Sequence, residues 1–365
     1  MKILIIDNSA IAKDNNSRYY TNALNGLFLD DLIECGNQLS YYQFTTEINK
    51  TISVYDLEEH KVRCVPIKLK KNKLLNYLKA YLKIIPEIKK NDFVYFYYPN
   101  SFKYATFLCR LFGQKYGLYI RGMLGLDDYI SHKIYKKAYI IFTVSDYFTK
   151  RVNEIVGRKI AHTIRPMIPY TDDDIISNRT YTKRSYYNLL FLGRIDKDKG
   201  IVELLNAMKQ LSQKKKYKAF LKIVGNGPFL SEAKLLCKEL DIEDIISFEG
   251  VVCDDNIKRN YYLEADVYIL PTYHEGFPRT LYEAMIFGTP IITTFVGGIS
   301  VIMEDNINSL KIEAKSIDSV VEKLEQALGN YLEMGRLAIK ATETVRKIVD
   351  KNRLTHGQHL NEIIK

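Results

Sequence analysis

The segment that runs from His274 to Met285 combines a glycine, two carboxylates and a predicted helix start in a way that suits an anionic ligand. Gly276 permits close approach of the backbone, and the amides of the helical turn after it would form an anion site with the help of the helix dipole. Glu275 lies at the mouth of this site, and Glu283 stands eight residues later, where a carboxylate can accept hydrogen bonds from a sugar diol. A glycine-started helix with two surface glutamates is the alternative interpretation.

Two other segments place glycines, one of them with cations, just beyond buried strands. Arg194 and Lys199 follow Gly193 at the end of one strand, where they would suit a diphosphate, because arginine gives bidentate contact and lysine a point charge. A solvated charged turn is the alternative. Gly225 and Gly227 end the next strand, but their spacing is too short for the dinucleotide fingerprint and no Walker Lys-Ser/Thr follows them. A permissive turn is sufficient to explain this second segment.

The elements that must position these residues follow from the hydrophobic pattern. Apolar runs of strand length alternate with helix-period segments along the chain, which predicts parallel sheets covered by helices on both faces. The first strand is predicted at Lys2–Ile6 and the first helix at Tyr20–Cys35. The alternation breaks from Arg165 to Tyr187, where two prolines and an acidic run predict an interdomain linker. We therefore expect an α/β protein with two doubly wound parallel-sheet domains.

Composition and charge exclude several classes of protein. The 365 residues are 47% hydrophobic and 26% charged, as in ordinary globular chains, so disorder and a fibrous repeat are excluded. The net charge of +10 originates in residues 1–170, which hold 26 Lys and Arg against 15 Asp and Glu. No recognition motif interleaves aromatic and basic residues, so nucleic acid is not an expected partner. The five cysteines form no Cys-x-x-Cys pair and predict neither a zinc site nor a disulfide framework.

The sequence also predicts how the chain would meet a membrane. Asp7 interrupts the N-terminal apolar run too early for a secretion signal, and glycines and a proline break up the uncharged stretch 284–303, so no transmembrane segment is expected. Residues 68–90 carry eight lysines and one acid, Glu87. We expect a cytoplasmic protein, peripheral on the inner face of the membrane, with 68–90 docking on an anionic membrane surface or lipid-diphosphate acceptor. A core-packed helix with a solvated basic face is the alternative. The apolar stripe predicted behind the lysines comprises Leu74, Leu78, Tyr81, Leu82 and Ile85.

The order of the motifs resembles a known family. Gly193-Arg194…Lys199-Gly200 is followed by Gly225-x-Gly227-Pro228, by Phe248-x-Gly250, by the segment His274–Met285, and then by Gly288-x-Pro290 and Gly297-Gly298. This series, which covers nearly all of residues 189–312, resembles the retaining glycosyltransferases of family four, the group one transferases. The resemblance implies the GT-B architecture, in which two Rossmann-like domains face a central cleft.

The resemblance implies a role for each domain and for named residues. Residues 1–168 would bind the acceptor, residues 169–345 would bind a nucleotide-sugar donor, and a C-terminal helix, 346–365, would cross back to the first domain. Arg194 and Lys199 would bind the donor diphosphate, and Glu283 would bind the nucleotide ribose. Glu275 would lie beside the transferred sugar, which makes Glu275, Arg194 and Lys199 the catalytic set. The implied donor-binding set is Gly193, Arg194, Lys199, Gly225, Gly227, Val251, Gly276, Phe277, Pro278, Thr280, Leu281 and Glu283, with backbone amides around Gly276–Leu281 holding phosphate and sugar hydroxyls.

The N-terminal half departs from the family pattern. Where the family usually carries a Gly-Gly loop after the first strand, this chain has Lys13-Asp14-Asn15-Asn16-Ser17-Arg18. Where a His is common after a mid-domain strand, it has Arg121, and Ile299 stands where a Glu is common after Gly297-Gly298. An arginine at a domain surface is the alternative interpretation of each arginine. The acceptor-side candidates are Asn16, Ser17, Arg18 and Arg121.

The function implied is retaining transfer of a sugar from a nucleotide-diphosphate sugar to a polysaccharide or lipid-linked acceptor. The expected setting is bacterial surface-glycan biosynthesis, of capsule, lipopolysaccharide or exopolysaccharide. Apart from the acidic run of the linker, no dense Asp cluster suggests a divalent ion, so neither a metal nor a cofactor is expected. Arg194, Lys199 and the helix terminus would stabilise the leaving diphosphate. A nucleotide-sugar epimerase or phosphorylase on the same fold, and a non-catalytic GT-B scaffold, are the alternatives.

Overall fold

The structure, a computed structural model, describes residues 1–48, 53–68, 73–122 and 125–365, except for the side chains of residues 73 and 74. The chain forms two compact units. Met1–Ile168 and Arg353–Lys365 make the first unit, and Pro169–Asn352 make the second. The second unit ends at Asn352 and not at residue 345, because the helix Tyr331–Ile348 packs within it.

The first unit is built on a mostly parallel sheet. The strand order among the described residues is β10-β9-β8-β7-β1-β4-β2-β3-β5, with β6 paired to β4. The pairs β2–β3 and β3–β5 are antiparallel, and the others are parallel. These strands are β1 (Lys2–Ile6), β2 (Ile11–Lys13), β3 (Tyr19–Asn22), β4 (Gln38–Glu47), β5 (Ser53–Asp56), β6 (Arg63–Ile67), β7 (Phe93–Tyr98), β8 (Tyr116–Ile120), β9 (Ile140–Thr143) and β10 (Ala161–Thr163).

Two apolar clusters bury the faces of this sheet. Leu4 and Ile6 of β1 belong to one cluster, and Ile3 and Ile5 belong to the other, because successive side chains of a strand point to opposite faces. This explains why the first strand reads as a continuous apolar run. The helices that precede the second unit are α1 (Ala23–Glu34), α2 (Lys73–Lys90), α3 (Ala105–Leu111), α4 (Tyr129–Tyr135) and α5 (Asp146–Val156).

The predicted helix Tyr20–Cys35 is shorter in the structure, since its first residues belong to β3. That strand pairs with β2 and β5, and α1 begins only at Ala23. The Asn22 side chain accepts a hydrogen bond of 2.9 Å from the Asn25 amide and so caps the helix. The four residues Tyr19–Asn22 therefore form a strand, and the last of them, Asn22, also caps the helix that follows.

α2 matches the prediction for residues 68–90 only in part. Residues 69–72 lie outside the described residues, as do the side chains of 73 and 74. Ala80, Ile84 and Ile88 form the buried face of the helix. Leu78 and Leu82, which the predicted apolar stripe included, are instead 57% and 61% exposed. The lysines of α2 therefore share their side of the helix with leucines.

The second unit is built on a parallel sheet with the strand order β13-β12-β11-β14-β15-β16. Its strands are β11 (Tyr187–Leu192), β12 (Ala219–Val224), β13 (Ile246–Gly250), β14 (Val267–Leu270), β15 (Ile291–Thr294) and β16 (Leu310–Ile312). Its helices are α6 (Ile201–Gln213), α7 (Leu230–Glu239), α8 (Asp255–Glu264), α9 (Arg279–Ile286), α10 (Ile317–Gly329) and α11 (Tyr331–Ile348).

The last helix, α12 (His356–Ile364), belongs to the first unit. Leu360 joins the same apolar cluster as Ile3 and Phe28, and the Asn37 side chain donates to Asn361 at 2.9 Å. A helix that returns to the first unit was expected from the sequence, but it begins ten residues later than the predicted segment 346–365.

Candidate active site

The strand order in the sheet of the second unit reverses between β11 and β14. β12 and β13 follow on one side of β11, whereas β15 and β16 follow on the other side of β14. Connections that leave the carboxyl ends of these two strands diverge and create a crevice, which is where open α/β sheets bind ligands. The segments singled out in the sequence begin here, since Gly193 follows β11 and the segment His274–Met285 follows β14.

Glycines allow the loops after β11 and β12 to pack directly on one another. Gly225 has a φ of 144°, and a Cβ on it would lie 1.9 Å from the carbonyl oxygen of Gly193. A Cβ on Gly227 would lie 2.1 Å from the carbonyl oxygen of Ile195. Because any side chain would push the loops apart, both glycines position the Gly193–Ile195 loop and hence Arg194.

Arg194, Lys199 and Glu275 lie in one cluster of charges. The Lys199 ammonium forms an ion pair with the Glu275 carboxylate and lies 3.9 Å from an oxygen of Asp198. Arg194 lies 3.0 Å from Asp196 and 3.7 Å from Asp198. The Lys199 side chain is only 13% exposed, whereas that of Arg194 is 59% exposed. The structure thus brings the three predicted catalytic residues together around Asp198.

The start of α9 follows the carboxyl end of β14 in the chain. The helix begins at Arg279 after Pro278, and no side chain caps its N-terminus. The first amides of a helix and its dipole attract an anion. Gly297 holds the preceding loop in place, since a Cβ on it would lie 2.0 Å from the carbonyl oxygen of Glu275. The uncapped start of α9 therefore provides the backbone amides that the predicted anion site requires. In the sequence it follows shortly after Glu275 of the charge cluster.

Glu283 lies within α9 and is buried. Its carboxylate accepts a hydrogen bond of 2.8 Å from the Tyr262 hydroxyl. Burial raises the pKa of Glu283, and the charges of Lys258 and Arg279 act in the opposite direction. A carboxylate held in this way is a fixed acceptor with one oxygen already oriented by Tyr262.

The other predicted donor residues have different surroundings. Thr280 accepts a hydrogen bond of 2.6 Å from the Tyr268 hydroxyl, which orients its side chain. Phe277 is buried and packs on the Tyr282 ring, with 4.2 Å between centroids. Phe277 therefore supports the loop before α9, and Thr280 supports the first turn of α9.

Leu281, another predicted donor residue, is part of the core and of the first helical turn. Its side chain is fully buried, and its amide donates to the Pro278 carbonyl at 3.1 Å, so that the first turn closes on itself. Leu281 therefore offers no donor to the anion site in this conformation. Val251 follows β13, which lies two strands from β11.

In the first unit, Arg121 and Arg18 make separate contacts. Arg121 follows β8 and donates at 2.6 Å to Asn8, just beyond the end of β1, which places it where the parallel strands end. Arg18 instead donates at 3.1 Å to Asp56 of β5, from the turn between β2 and β3 that also contains Asn16 and Ser17. Arg121 is the candidate whose position matches a ligand site of an open sheet.

The sequence profile described as "Glycosyl transferases group 1" matches residues 172–344, which hold the crevice, the charge cluster and α9. Residues 172–344 belong to the group 1 glycosyl transferases. Every residue predicted to bind the donor lies inside this group 1 domain.

Two curated relatives show the extent of the similarity. An uncharacterized glycosyltransferase of Methanocaldococcus jannaschii is 32% identical over 143 residues, which are 39% of this chain and 36% of that protein. A lipopolysaccharide 1,2-N-acetylglucosaminetransferase of Salmonella typhimurium is 32% identical over 167 residues, 43% of each chain. The chain thus matches less than half of the length of either relative.

Solved structures extend the similarity in fold to both units. The crystal structure of Anabaena HepE in complex with UDP has a TM-score of 0.71 over 96% of both chains, at 15% identity. Sucrose-phosphate synthase from Thermosynechococcus elongatus has a TM-score of 0.68 over 96% of this chain and 95% of its own, at 17% identity. The chain accordingly has the GT-B fold, with the group 1 domain as its second unit.

Two acidic residues near these sites were missed by the sequence analysis. Asp198 of the group 1 domain lies between the cations, and His274 Nε2 lies 3.4 Å from it. In the first unit, Asp7 is fully buried after β1, where it accepts hydrogen bonds from Asn25 and Tyr41, and burial raises its pKa. An ionisable residue directly after a buried strand is the signal that would have identified Asp7.

Within the described ranges, no group of three or more His, Cys, Asp or Glu side chains is arranged to hold a metal ion. Metal independence of the group 1 domain stays a prediction. None of the helices in the described part of the chain is both long and apolar enough to span a bilayer.

Proposed function

We propose that this chain is a retaining glycosyltransferase that moves a sugar from a nucleotide-diphosphate sugar to a polysaccharide or lipid-linked acceptor in bacterial surface-glycan biosynthesis. The observation that carries the proposal is the pairing of Lys199 with Glu275. These residues lie in the loops that leave β11 and β14, the two strands between which the strand order reverses. The names of the Salmonella relative and of the HepE complex support it, since the first acts on lipopolysaccharide and the second binds UDP.

The charges of the group 1 domain suit the departure of a nucleotide diphosphate. When the bond between the anomeric carbon and the diphosphate breaks, negative charge grows on the leaving oxygen and positive charge on the sugar ring. Arg194, Lys199 and the first amides of α9 would meet the negative charge, and Glu275 would lie beside the positive charge. Glu283 would accept hydrogen bonds from the ribose hydroxyls.

Retention follows if the new bond forms on the face from which the diphosphate leaves. The acceptor hydroxyl attacks the anomeric carbon, and its proton passes to the departing phosphate oxygen, so the nucleoside diphosphate carries away both the electron pair and the proton. We assign no protein side chain as the general base. The part of the protein in this step is to orient donor and acceptor and to stabilise the separated charges.

On the acceptor side, we propose that Arg121 contacts the acceptor and that Asn16, Ser17 and Arg18 are secondary candidates. Arg121 already has a fixed orientation through Asn8, and a guanidinium suits a phosphate of a lipid-linked acceptor. Replacement of Arg121 by alanine should raise the KM for the acceptor and leave nucleotide affinity unchanged. Arg18→Ala tests the secondary candidate in the same unit and should raise this KM less, since Arg18 is already bonded to Asp56.

The test is a transfer assay with UDP, GDP and ADP sugars and lipid-linked acceptors, in which the product is identified by mass and its anomeric configuration by NMR. A nucleotide that binds should also stabilise the protein, by about 2.7 kcal/mol at roughly 100 times its dissociation constant. Release of a nucleoside diphosphate with a glycosylated acceptor of retained configuration is expected. An epimerised nucleotide sugar, phosphorolysis, or no nucleotide binding at all would replace the proposal by an epimerase, a phosphorylase or a scaffold, respectively.

A further inference from the structure

The solvent side of α2 carries both leucines and lysines. Successive residues of a helix turn by about 100°, so the exposed residues occupy an arc of roughly 140°. Leu75, Leu78 and Leu82 lie in this arc and are 49%, 57% and 61% exposed. The exposed residues of α2 are Leu75, Leu78, Lys79, Leu82, Lys83, Pro86, Lys89 and Lys90.

α3 continues this surface. Its side of the unit exposes Tyr104, Phe107 and Leu111, the last at 74%. The two helices are neighbours, because the Tyr81 hydroxyl of α2 donates to the Ser101 carbonyl at 3.4 Å and the Lys89 ammonium lies 4.4 Å from the centre of the Phe112 ring. We call the exposed residues of α2 together with Tyr104, Phe107, Arg110 and Leu111 the α2–α3 face.

This part of the chain is predominantly basic. Residues 73–122 contain nine Lys and Arg and two acids, Glu87 and Asp92. Glu87 is buried and paired with Arg63 of β6, and it also lies 3.9 Å from the Lys90 ammonium. Asp92 accepts a hydrogen bond of 2.7 Å from the Lys2 amide. Neither acid belongs to the α2–α3 face, and among the described residues Lys90 is the one lysine of the face that is paired with an acid.

Single exposed apolar residues are normal, but six large ones on two adjacent helices are not. A protein partner would need to bury leucines while offering acids around them. A bilayer with anionic headgroups offers both at once, since the leucines and aromatic rings enter the boundary between headgroups and acyl chains while the lysines remain at the phosphates. The aliphatic stems of lysine allow this, because they lie along apolar surface while the ammonium stays in water.

We propose that the α2–α3 face is an interfacial membrane-binding surface that inserts its leucines and aromatic rings shallowly into a bilayer of anionic phospholipids. This binding requires neither nucleotide nor glycosyl transfer, so its test is independent of the proposed reaction. In this proposal the leucines contact lipid from the solvent side of α2 and α3. The sequence pattern had instead predicted that the leucines form an apolar stripe behind the lysines.

The first experiment measures binding of the full chain to vesicles of phosphatidylglycerol and phosphatidylcholine by co-sedimentation. Each lysine near an anionic surface contributes about 1 kcal/mol, so the double variant Lys79→Ala/Lys83→Ala should bind roughly 25-fold more weakly. Leu78→Ser/Leu82→Ser should also weaken binding, including at high salt, where the lysine contribution is screened. Lys234→Ala/Lys238→Ala on α7, an exposed pair with the same spacing next to the exposed Leu235, is the matched control and should bind as the unchanged protein does.

The second experiment uses the absence of tryptophan from the sequence. Leu78→Trp introduces one indole on the α2–α3 face, and Leu235→Trp introduces one on α7. Fluorescence of the first should shift to shorter wavelength when anionic vesicles are added, and that of the second should not. The proposal is overturned if the unchanged protein does not bind anionic vesicles, if it binds phosphatidylcholine vesicles equally well, or if the α7 variants change binding as much as the α2 variants do.

Discussion

The Lys199 ammonium is paired with the Glu275 carboxylate, and the two side chains come from loops that follow the two central strands of the sheet, β11 and β14. Glu275 therefore neutralises the cation that is proposed to meet the donor diphosphate. If a diphosphate binds there as proposed, Lys199 would exchange one anionic partner for another, and the pair would keep the ammonium in position between turnovers.

The pair predicts an unusual outcome for Glu275→Gln. Loss of the carboxylate next to the sugar should lower turnover about 100-fold, the scale for one fixed group that acts on developing charge. The affinity for the nucleoside diphosphate should stay the same or rise, because Lys199 loses its competing anion. Steady-state kinetics and calorimetric titration of UDP or GDP measure the two effects. A weaker affinity for the diphosphate would show that Glu275 supports binding and not transfer.

Arg194→Ala and Lys199→Ala should lower the transfer rate more than they lower donor affinity. Both cations meet charge that increases as the bond breaks, so each should cost roughly 2–4 kcal/mol in the transition state. Single-turnover rates and donor dissociation constants separate the two quantities. Lys197→Ala is the matched control, since Lys197 lies in the same loop and its ammonium lies over the Phe229 ring, 5.1 Å from its centre.

Glu283→Gln should weaken nucleotide binding by roughly 1.5–3 kcal/mol, because the amide keeps the shape but not the charged acceptor. Since burial raises the pKa of Glu283, the carboxylate is lost on acidification at a higher pH than for an exposed glutamate. Nucleotide affinity of the unchanged protein should therefore fall as the pH is lowered through that raised pKa, and the variant should lack this fall. An identical pH profile in both proteins would remove the assignment of Glu283 to the nucleotide.

The buried ring of His356 predicts acid sensitivity of the first unit. Its Nε2 lies 2.6 Å from the Tyr95 hydroxyl, and burial lowers its pKa to about 3, with the neighbouring His359 acting in the same direction. The unfolded chain binds a proton below about pH 6.5 that the folded protein excludes, so the contribution of His356 is complete above that pH and is lost as the pH falls towards 3. Between pH 6.5 and 5 the loss should be roughly 2 kcal/mol.

Urea unfolding followed by circular dichroism at several pH values measures this loss. His356→Phe removes the proton site and should flatten the pH dependence, although it also loses the hydrogen bond to Tyr95. Tyr95→Phe is the control, because it removes the same hydrogen bond but keeps the imidazole, so its slope should stay close to that of the unchanged protein. A slope that persists in His356→Phe would assign the acid sensitivity to other groups.

Chelation should leave transfer activity within a factor of two, because Arg194, Lys199 and the first amides of α9 would stabilise the leaving diphosphate without a divalent ion. The measurement is the initial transfer rate before and after treatment with EDTA. Loss of activity that Mg²⁺ or Mn²⁺ restores would contradict the expectation.

The loops of the group 1 domain were predictable because their signals are local. Gly225 and Gly227 are required by the close approach of two loops, and a glycine of this kind leaves its mark at one position of the sequence. The charge cluster was predicted in part for the same reason, since Arg194 and Lys199 lie in one loop. Asp198 was missed because nothing local distinguishes a partnered carboxylate from a solvated one.

The first unit was less predictable because its contacts are distant along the chain. Tyr20 and Thr21 fit a helical pattern, yet β2 and β5 draw them into a strand. On α2, Leu78 and Leu82 fit an apolar stripe, but Ala80, Ile84 and Ile88 are the residues that pack inward. Periodicity gives the angle between residues on a helix and not the direction of the core, so it cannot decide which arc is buried.

The return of α12 to the first unit has a consequence for biosynthesis. Leu360 packs with Ile3 and Phe28, and Asn361 bonds to Asn37, so the core of the first unit is incomplete until the ribosome has translated all of the second unit. A premature stop codon after Asn352 would spare the later-made domain and damage the one synthesised first.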